Sequence, residues 1–435
     1  MVNVRKAVIT GLIRVEENGY SNLLLNSVLQ EVGSEQKSRS FAVHLFYGTL
    51  ERRYTLDAVL NLFLKKHIET LDIEIRNNLR CALFQVFFMN SVPIAVAINE
   101  AVELCRAFKK SSASGLVNAV LRNAAKHGMV TNFTTEKERL HIQYSVNMPI
   151  IELLLAQYNE ECESILQSFF EEPQTTIRIN TLKTNKKTLI NDFKKLQIHV
   201  EESKIENALV LYYRGDITKL APFQEGLFHV QGEASQWCIQ VAGAKPYDKV
   251  IDLCAAPGGK SATVAQYMGN TGVLISADIS EGRLKLTEGL LKRVGVENAV
   301  LFQNDAKVYT ENFQEADVVL CDVPCSGIGI ISKKPDIRFK ALNDIEELYA
   351  LQRNILQTAA KYVKIGGRLV YSTCTINKEE NEKIIEDFLL TNTKFELTEP
   401  NCPVEGAVHS KFGTILLPNR TKTDGFFVAV MERIW

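Results

Sequence analysis

Lys249-Val250-Ile251-Asp252-Leu253-Cys254-Ala255-Ala256-Pro257-Gly258-Gly259-Lys260 decides how the rest of the chain is read. Val250, Ile251 and Leu253 form a short apolar run rich in β-branched side chains, the pattern of a buried strand. Pro257, Gly258 and Gly259 break it, and residues 261–268 continue with helical spacing. Strand, tight turn and helix make the opening unit of a doubly wound α/β sheet. Neither Gly258 nor Gly259 carries a Cβ, so the main chain can approach a ligand closely. Backbone N–H groups at the turn and at the helix N-terminus can hold that ligand's anionic or polar end.

Two nucleotide-binding motifs are excluded. Gly259-Lys260-Ser261 looks like the end of a phosphate-binding P-loop, but Cys254 stands where that motif needs its first glycine. The dinucleotide fingerprint G-x-G-x-x-G is absent. Eighteen residues after Lys260, Asp278 ends the next strand, where an acid can bind ribose hydroxyls. A glycine turn with such an acid suits an adenosine-containing ligand without a long pyrophosphate. S-adenosyl-L-methionine fits that description.

From residue 249 onward strands and helices alternate. Strands read at residues 250–254, 273–278, 299–303, 317–322 and 367–373, with two late strands near 414–417 and 426–432, seven in all. Helices read at 261–268, 281–294, 344–363 and 378–390. Alternating βα units with right-handed crossovers give a mostly parallel sheet covered on both faces, a Rossmann-like domain over residues 241–435. Residues 3–127, by contrast, read as helix. Val4, Val8, Ile9, Leu12 and Ile13 keep helical spacing, as do Leu71, Ile75, Leu79, Leu83 and Val86. About seven helices, punctuated by Gly19, Gly33, Pro93 and Gly128, make an all-α domain over residues 1–130. Residues 131–240 form a small α/β connector, with strands at 175–180, 208–213 and 227–231 and helices at 148–158 and 185–196.

A chain of 435 residues is too long for one ordinary core. Hydrophobic residues make up 46 % and charged residues 23 %, as in soluble globular proteins. No apolar run approaches the ~20 residues that span a membrane. The basic amphipathic start, residues 1–14, lacks the apolar stretch and cleavage site of a signal peptide. The expectation is a cytoplasmic monomer with no membrane partner. Nine cysteines without a C-x-x-C pair, and seven histidines without an H-x-x-x-H pair, argue against a metal and a disulfide framework. The net charge of −1 is unevenly spread: residues 1–130 hold 16 Lys and Arg against 11 Asp and Glu, a net of +5, which leaves −6 for the rest. A basic front on an acidic body permits nucleic-acid contact. Lys109, Lys110, Arg122 and Lys126 bracket the turn Ser111-Ser112-Ala113-Ser114-Gly115, whose N–H groups and neighbouring cations can hold RNA phosphate. Arg178, Asn180 and Lys183 cluster at one strand end and could contact a nucleic-acid backbone or face water.

Ligands bind such a sheet at the ends of its strands. Those ends are 254–260, Asp278, Asp305, 322–326 and 372–375, and two of them carry a cysteine directly after a strand: Asp322-Val323-Pro324-Cys325-Ser326-Gly327 and Ser372-Thr373-Cys374-Thr375. Methyl transfer to carbon 5 of a pyrimidine is a reaction that needs such a pair, because that carbon is a poor nucleophile. A thiolate added at carbon 6 turns the ring into an enamine, and a base must then remove the carbon-5 proton so that the thiol can leave. An acid near ring nitrogen 3 assists. Cys374, Cys325 and Asp322 are the three chemical types required. Cys374 precedes a helix expected to begin near Asn377 or Lys378, whose N-terminus would favour a thiolate. Asp322, if buried and protonated, could donate to ring nitrogen 3.

The segments Asp252–Lys260, Asp322–Gly327 and Ser372–Thr375, with Arg178-Ile179-Asn180 upstream, resemble the signature motifs of the Sun family of RNA (cytosine-5)-methyltransferases. Residues 1–130, with the turn at Ser111–Gly115 running into Leu116-Val117-Asn118-Ala119-Val120-Leu121-Arg122, resemble the NusB-type helical RNA-binding fold. The resemblance implies methylation of carbon 5 of a cytidine in 16S ribosomal RNA. It implies Cys374 as nucleophile and Cys325 as the group assisting release. It also implies that Cys254, Ala255, Ala256, Pro257, Gly258, Gly259, Lys260, Asp278, Asp305 and Asp322 bind S-adenosyl-L-methionine, with Asp305 able to reach the adenine amine. Gly232-Glu233 departs from the family's more common Asp-Glu, and Thr375 replaces a common serine. Two other readings stand beside this one: a DNA cytosine-5 methyltransferase, in which the Pro-Cys cysteine attacks, and an inactive RNA-binding scaffold.

Overall fold

The computed structural model describes residues 3–17, 19, 21–130 and 132–435; Met1 and Val2, at the head of the expected first helix, lie outside them. The chain divides into two units, Met1–Phe170 with Ile331–Leu342, and Glu171–Ile330 with Asn343–Trp435.

The first unit is helical. Seven helices run through residue 127: Val4–Glu16, Ser21–Val32, Gln36–Glu51, Arg53–Asn61, Ile73–Phe88, Ile94–Ala107 and Ser114–His127. The residues that set the helical period, among them Val8, Leu12, Leu79, Leu83 and Ile98, are buried in one common core. Asn3 caps the first helix by accepting from the Lys6 N–H. Arg80 is buried, and its guanidinium makes paired bonds of 2.6 and 2.8 Å to both oxygens of Asp57, which satisfies an otherwise costly interior charge.

The unit extends to Phe170, past the all-α segment read at residues 1–130. Three more helices, Glu136–Tyr144, Met148–Tyr158 and Cys162–Ser168, are tied to the bundle by polar bonds. Thr55 Oγ1 donates to the Ile142 carbonyl at 2.6 Å, and the Tyr54 N–H donates to Ser145 Oγ at 2.9 Å. The buried Arg338, from the segment Ile331–Leu342, donates to the carbonyls of Tyr144 and Phe169 at 2.8 and 2.7 Å.

The second unit holds two sheets. The smaller has strands β1 (Thr176–Ile179), β2 (His199–Glu202), β3 (Ala208–Tyr212) and β4 (Phe228–Val230), all antiparallel in the order β2-β3-β1-β4. Along β1 the side chains alternate. Ile177 and Ile179 enter the small core with Leu189, Phe193 and Phe228. Arg178, 1 % exposed, donates to Gln266 Oε1 at 3.0 Å and to the Glu206 carbonyl at 2.7 Å. Asn180, fully buried, donates to the carbonyls of Gly226 and Val294, both at 2.7 Å. Lys183 Nζ donates to the carbonyls of Glu225 and Arg293 at 3.0 and 2.8 Å. The expectation that Arg178 and Asn180 grip RNA is therefore corrected. They sit on the face of β1 that docks against the helices of the larger sheet, and Lys183 is committed to the same seam. Arg122 does lie on an exposed helix face.

The larger sheet has nine strands: β5 (Lys249–Asp252), β6 (Val273–Asp278), β7 (Ala299–Gln303), β8 (Ala316–Asp322), β9 (Val363–Thr373), β10 (Phe395–Thr398), β11 (Val408–Ser410), β12 (Gly413–Leu416) and β13 (Phe426–Arg433). Its order is β11-β12-β13-β9-β8-β5-β6-β7, with β10 paired to β13. β5 to β9 are parallel, and β10 to β13 pair antiparallel. Two strands exceed the expected seven, β10 and β11, both short and at the sheet's margin. The chain winds from β5 through β6 to β7 in one direction and from β8 to β9 in the other. The topological switch point therefore lies between β5 and β8, where such sheets open a ligand crevice beyond their carboxyl ends. No helix among the described residues is long and apolar enough to cross a membrane.

Candidate active site

The loop from Cys254 to Lys260 leaves β5 at the switch point. It is pinned to the end of β6: the Ala255 N–H donates to the Ala277 carbonyl at 2.9 Å and the Ala256 N–H to Asp278 Oδ2 at 3.2 Å. Gly258 has φ +99°, and a Cβ there would lie 2.9 Å from Thr287 Cγ2 and 3.0 Å from Thr287 Cα. Only glycine suits both the left-handed backbone and the close approach. Asp278 is buried and also accepts from the Ser280 N–H at 3.0 Å, with Arg283 at 3.5 Å. Asp305, after β7, is partly exposed and accepts from the Lys307 N–H at 3.0 Å. A Cβ-free turn with a carboxylate at each of the next two strand ends fits the ribose hydroxyls and amino group of S-adenosylmethionine. Gly258→Ala is expected to weaken S-adenosylmethionine binding about tenfold or more, from backbone strain and overlap together. Calorimetry on the folded variant checks this, and unchanged affinity would remove the loop's assigned part.

Cys254 belongs to that loop as a structural thiol. Burial first, then neighbouring Cys321 and carboxylates, push its pKa well up, the opposite of a nucleophile's setting.

Lys260 and Asp322 bridge the switch point from opposite sides, with Nζ to Oδ2 at 2.6 Å. Burial is the largest influence and works against charge on Lys260, but Asp322, Cys238 and Asp252 together turn the net shift upward. The other Asp322 oxygen accepts from Ser372 Oγ at 2.8 Å. Asp322 is thus partly exposed, not buried, and it is ion-paired with the Lys260 ammonium. Beside them Asp252 is buried, and burial pushes its carboxyl up to about 6, with Ser261 Oγ at 2.7 Å from one oxygen opposing the rise.

The two cysteines after β8 and β9 meet. Cys325 Sγ and Cys374 Sγ are 3.3 Å apart, and both residues are partly exposed. The hydrogen bond to Cys374 and then burial raise the Cys325 pKa well above its ordinary value, and the carboxylates of Glu380 and Asp322 add to the effect. The helix expected to start near Asn377 begins at Glu382, so its first turn does not reach Cys374. Residues 378–381 instead form a turn that contains Glu380.

Glu380 was not singled out from the sequence. It is fully buried. Its Oε2 accepts from the Ser326 N–H at 2.7 Å and Gln352 Nε2 at 3.0 Å; its Oε1 accepts from Ser326 Oγ at 2.5 Å and Asn377 Nδ2 at 3.0 Å. The only sequence signal was an acid six residues after Cys374 in a polar run that reads as a solvated helix start. Among the described residues no His, Cys, Asp and Glu cluster could hold a metal ion.

Residues 240–432 match the family described as 16S rRNA methyltransferase RsmB/F, residues 2–126 the NusB family, and residues 150–218 an RsmF/B-like methyltransferase ferredoxin-like domain. The probable ribosomal RNA small subunit methyltransferase B of Bacillus subtilis (strain 168) is 32 % identical, covering 99 % of each chain. The ribosomal RNA small subunit methyltransferase B of Shewanella oneidensis is 29 % identical, covering 98 % of each. The solved structure of PH0851 superposes with a TM-score of 0.86 at 28 % identity, covering 100 % of this chain and 99 % of that one.

Proposed function

This chain belongs to the ribosomal RNA small subunit methyltransferase B family of 16S rRNA methyltransferases, and from that premise we propose that it methylates carbon 5 of a cytidine through a covalent cysteine adduct. The observation that carries the proposal is the 3.3 Å approach of Cys325 and Cys374 beside the Lys260–Asp322 pair.

S-adenosylmethionine, when bound by the Cys254–Lys260 turn, Asp278 and Asp305, supplies an electrophilic methyl group. Cys374 adds to carbon 6. Lys260, its charge sustained by Asp322, donates toward the ring as negative charge develops on nitrogen 3. Once the Cys374 sulfur is bonded to carbon, it no longer holds the Cys325 proton in place. Cys325 can then release that proton to water and take the one on carbon 5. The carbon–hydrogen electron pair restores the ring double bond, and Cys374 leaves as thiolate. The target base must first leave its stack, which costs a few kcal/mol in a duplex and less in a loop. The helical domain, residues 1–130, with Arg122 and Lys126 exposed on one helix, is assigned the backbone contacts.

Methyl-labelled S-adenosylmethionine with 16S rRNA and with DNA, followed by nucleoside chromatography, tests the reading. Label in 5-methylcytidine from RNA is expected. Label confined to DNA, or to another position of the base, would overturn it.

A further inference from the structure

We infer that Glu380 is a positioning residue: it locks the two cysteine loops together so that Cys325 stands where it can resolve the adduct formed by Cys374. The inference rests on the roles proposed above for those two thiols.

Glu380 is a fully buried carboxylate outside the direct reaction path. Such a group persists only if its charge is matched by donors, and here four donors converge on it from three elements. Ser326, the neighbour of Cys325, supplies its N–H and its hydroxyl. Asn377 supplies its amide from the loop after β9. Gln352, on the helix Ile345–Ala360, supplies the fourth. The same Gln352 amide also donates to the Pro324 carbonyl at 2.9 Å, so both neighbours of Cys325 are tied to this one centre. The Cys374 side is bound in turn: Thr375 Oγ1 lies 2.7 Å from Ser326 Oγ, and the Tyr371 hydroxyl donates to the Glu380 carbonyl at 2.7 Å. Two backbone bonds, from the Gly329 N–H to the Cys374 carbonyl and from the Val323 N–H to the Ser372 carbonyl, both 3.1 Å, link the loops independently. They fix the main chain of Cys374 but not that of Cys325. Loss of Glu380 should therefore release Cys325 more than Cys374.

The closing experiment compares wild type, Cys325→Ala, Glu380→Gln and Ser326→Ala with 16S rRNA, reading the RNA–protein adduct on denaturing gels against released methylated RNA. Glu380→Gln keeps the shape but turns one acceptor into a donor facing other donors. It is expected to raise the adduct-to-product ratio about tenfold, with S-adenosylmethionine affinity unchanged. Ser326→Ala, which deletes one of the four bonds, should raise the ratio less, and it decides the question alone if Glu380→Gln does not fold. A purely structural Glu380 would lower adduct and product in proportion; an unchanged ratio in both variants overturns the inference. Cys325→Ala is the reference. If it traps adduct and the Glu380 and Ser326 variants do not, only the positioning role fails. If it traps none, the reading of Cys325 fails and the positioning role with it.

Discussion

Replacing Cys374 by alanine is expected to lower methyl transfer about a thousandfold or more while leaving S-adenosylmethionine binding intact. The size follows from the chemistry: without a sulfur at carbon 6 no enamine forms, and carbon 5 remains too poor a nucleophile to accept a methyl group. Selectivity follows from the topology. The residues proposed to hold the cofactor sit at the ends of β5, β6 and β7, whereas Cys374 follows β9, beyond β8. The backbone bond that fixes its loop, from the Gly329 N–H to the Cys374 carbonyl, does not involve the side chain and survives in alanine. Single-turnover assays with labelled cofactor and calorimetry with S-adenosylmethionine read the two halves separately. Turnover near the wild-type rate would mean that another group attacks, and Cys325 would be the first candidate. A loss of cofactor binding would mean that the two sites are less separate than the strand order implies.

Much of this arrangement was legible because it rests on local rules. The β-branched run into Pro257-Gly258-Gly259 carries its own strand–turn–helix geometry, and the acids at 278 and 305 follow from where parallel strands must end. Two Pro-Cys and Thr-Cys loops after adjacent strands could be paired without coordinates. What escaped was decided by tertiary context. Arg178 and Asn180 looked like groups at an open strand end, but β1 is covered on both faces, and alternation along it sends these side chains into carbonyl-rich seams. Residues 377–381 have the composition of a helix start, yet Glu380 is drawn inward by four donors and delays the helix to Glu382. The helices between 136 and 168 differ in no local property from a connector. Long-range bonds such as Thr55 to Ile142 decide where they belong. β10 and β11 have four and three residues, too few for alternation to register.

Cys325→Ala should convert the enzyme into a trap for its own RNA. After the methyl group arrives, carbon 5 carries both the methyl and its original hydrogen, and carbon 6 remains bonded to the Cys374 sulfur. Only removal of that hydrogen as a proton returns the electron pair to the ring and expels the thiolate. A sulfur 3.3 Å from Cys374 is placed to do this once adduct formation has removed the hydrogen bond that held its own proton. Alanine cannot accept it. Water is the remaining base, and losing a positioned one slows the step about a hundredfold or more. The expected result is a species that survives denaturing electrophoresis, contains both RNA and protein, and carries the methyl label. The label matters most. A labelled band locates the block after transfer, where a missing base must act. An unlabelled band would place it before transfer and make Cys325 part of the attack, while brisk turnover with no band at all would leave the second thiol without a chemical role.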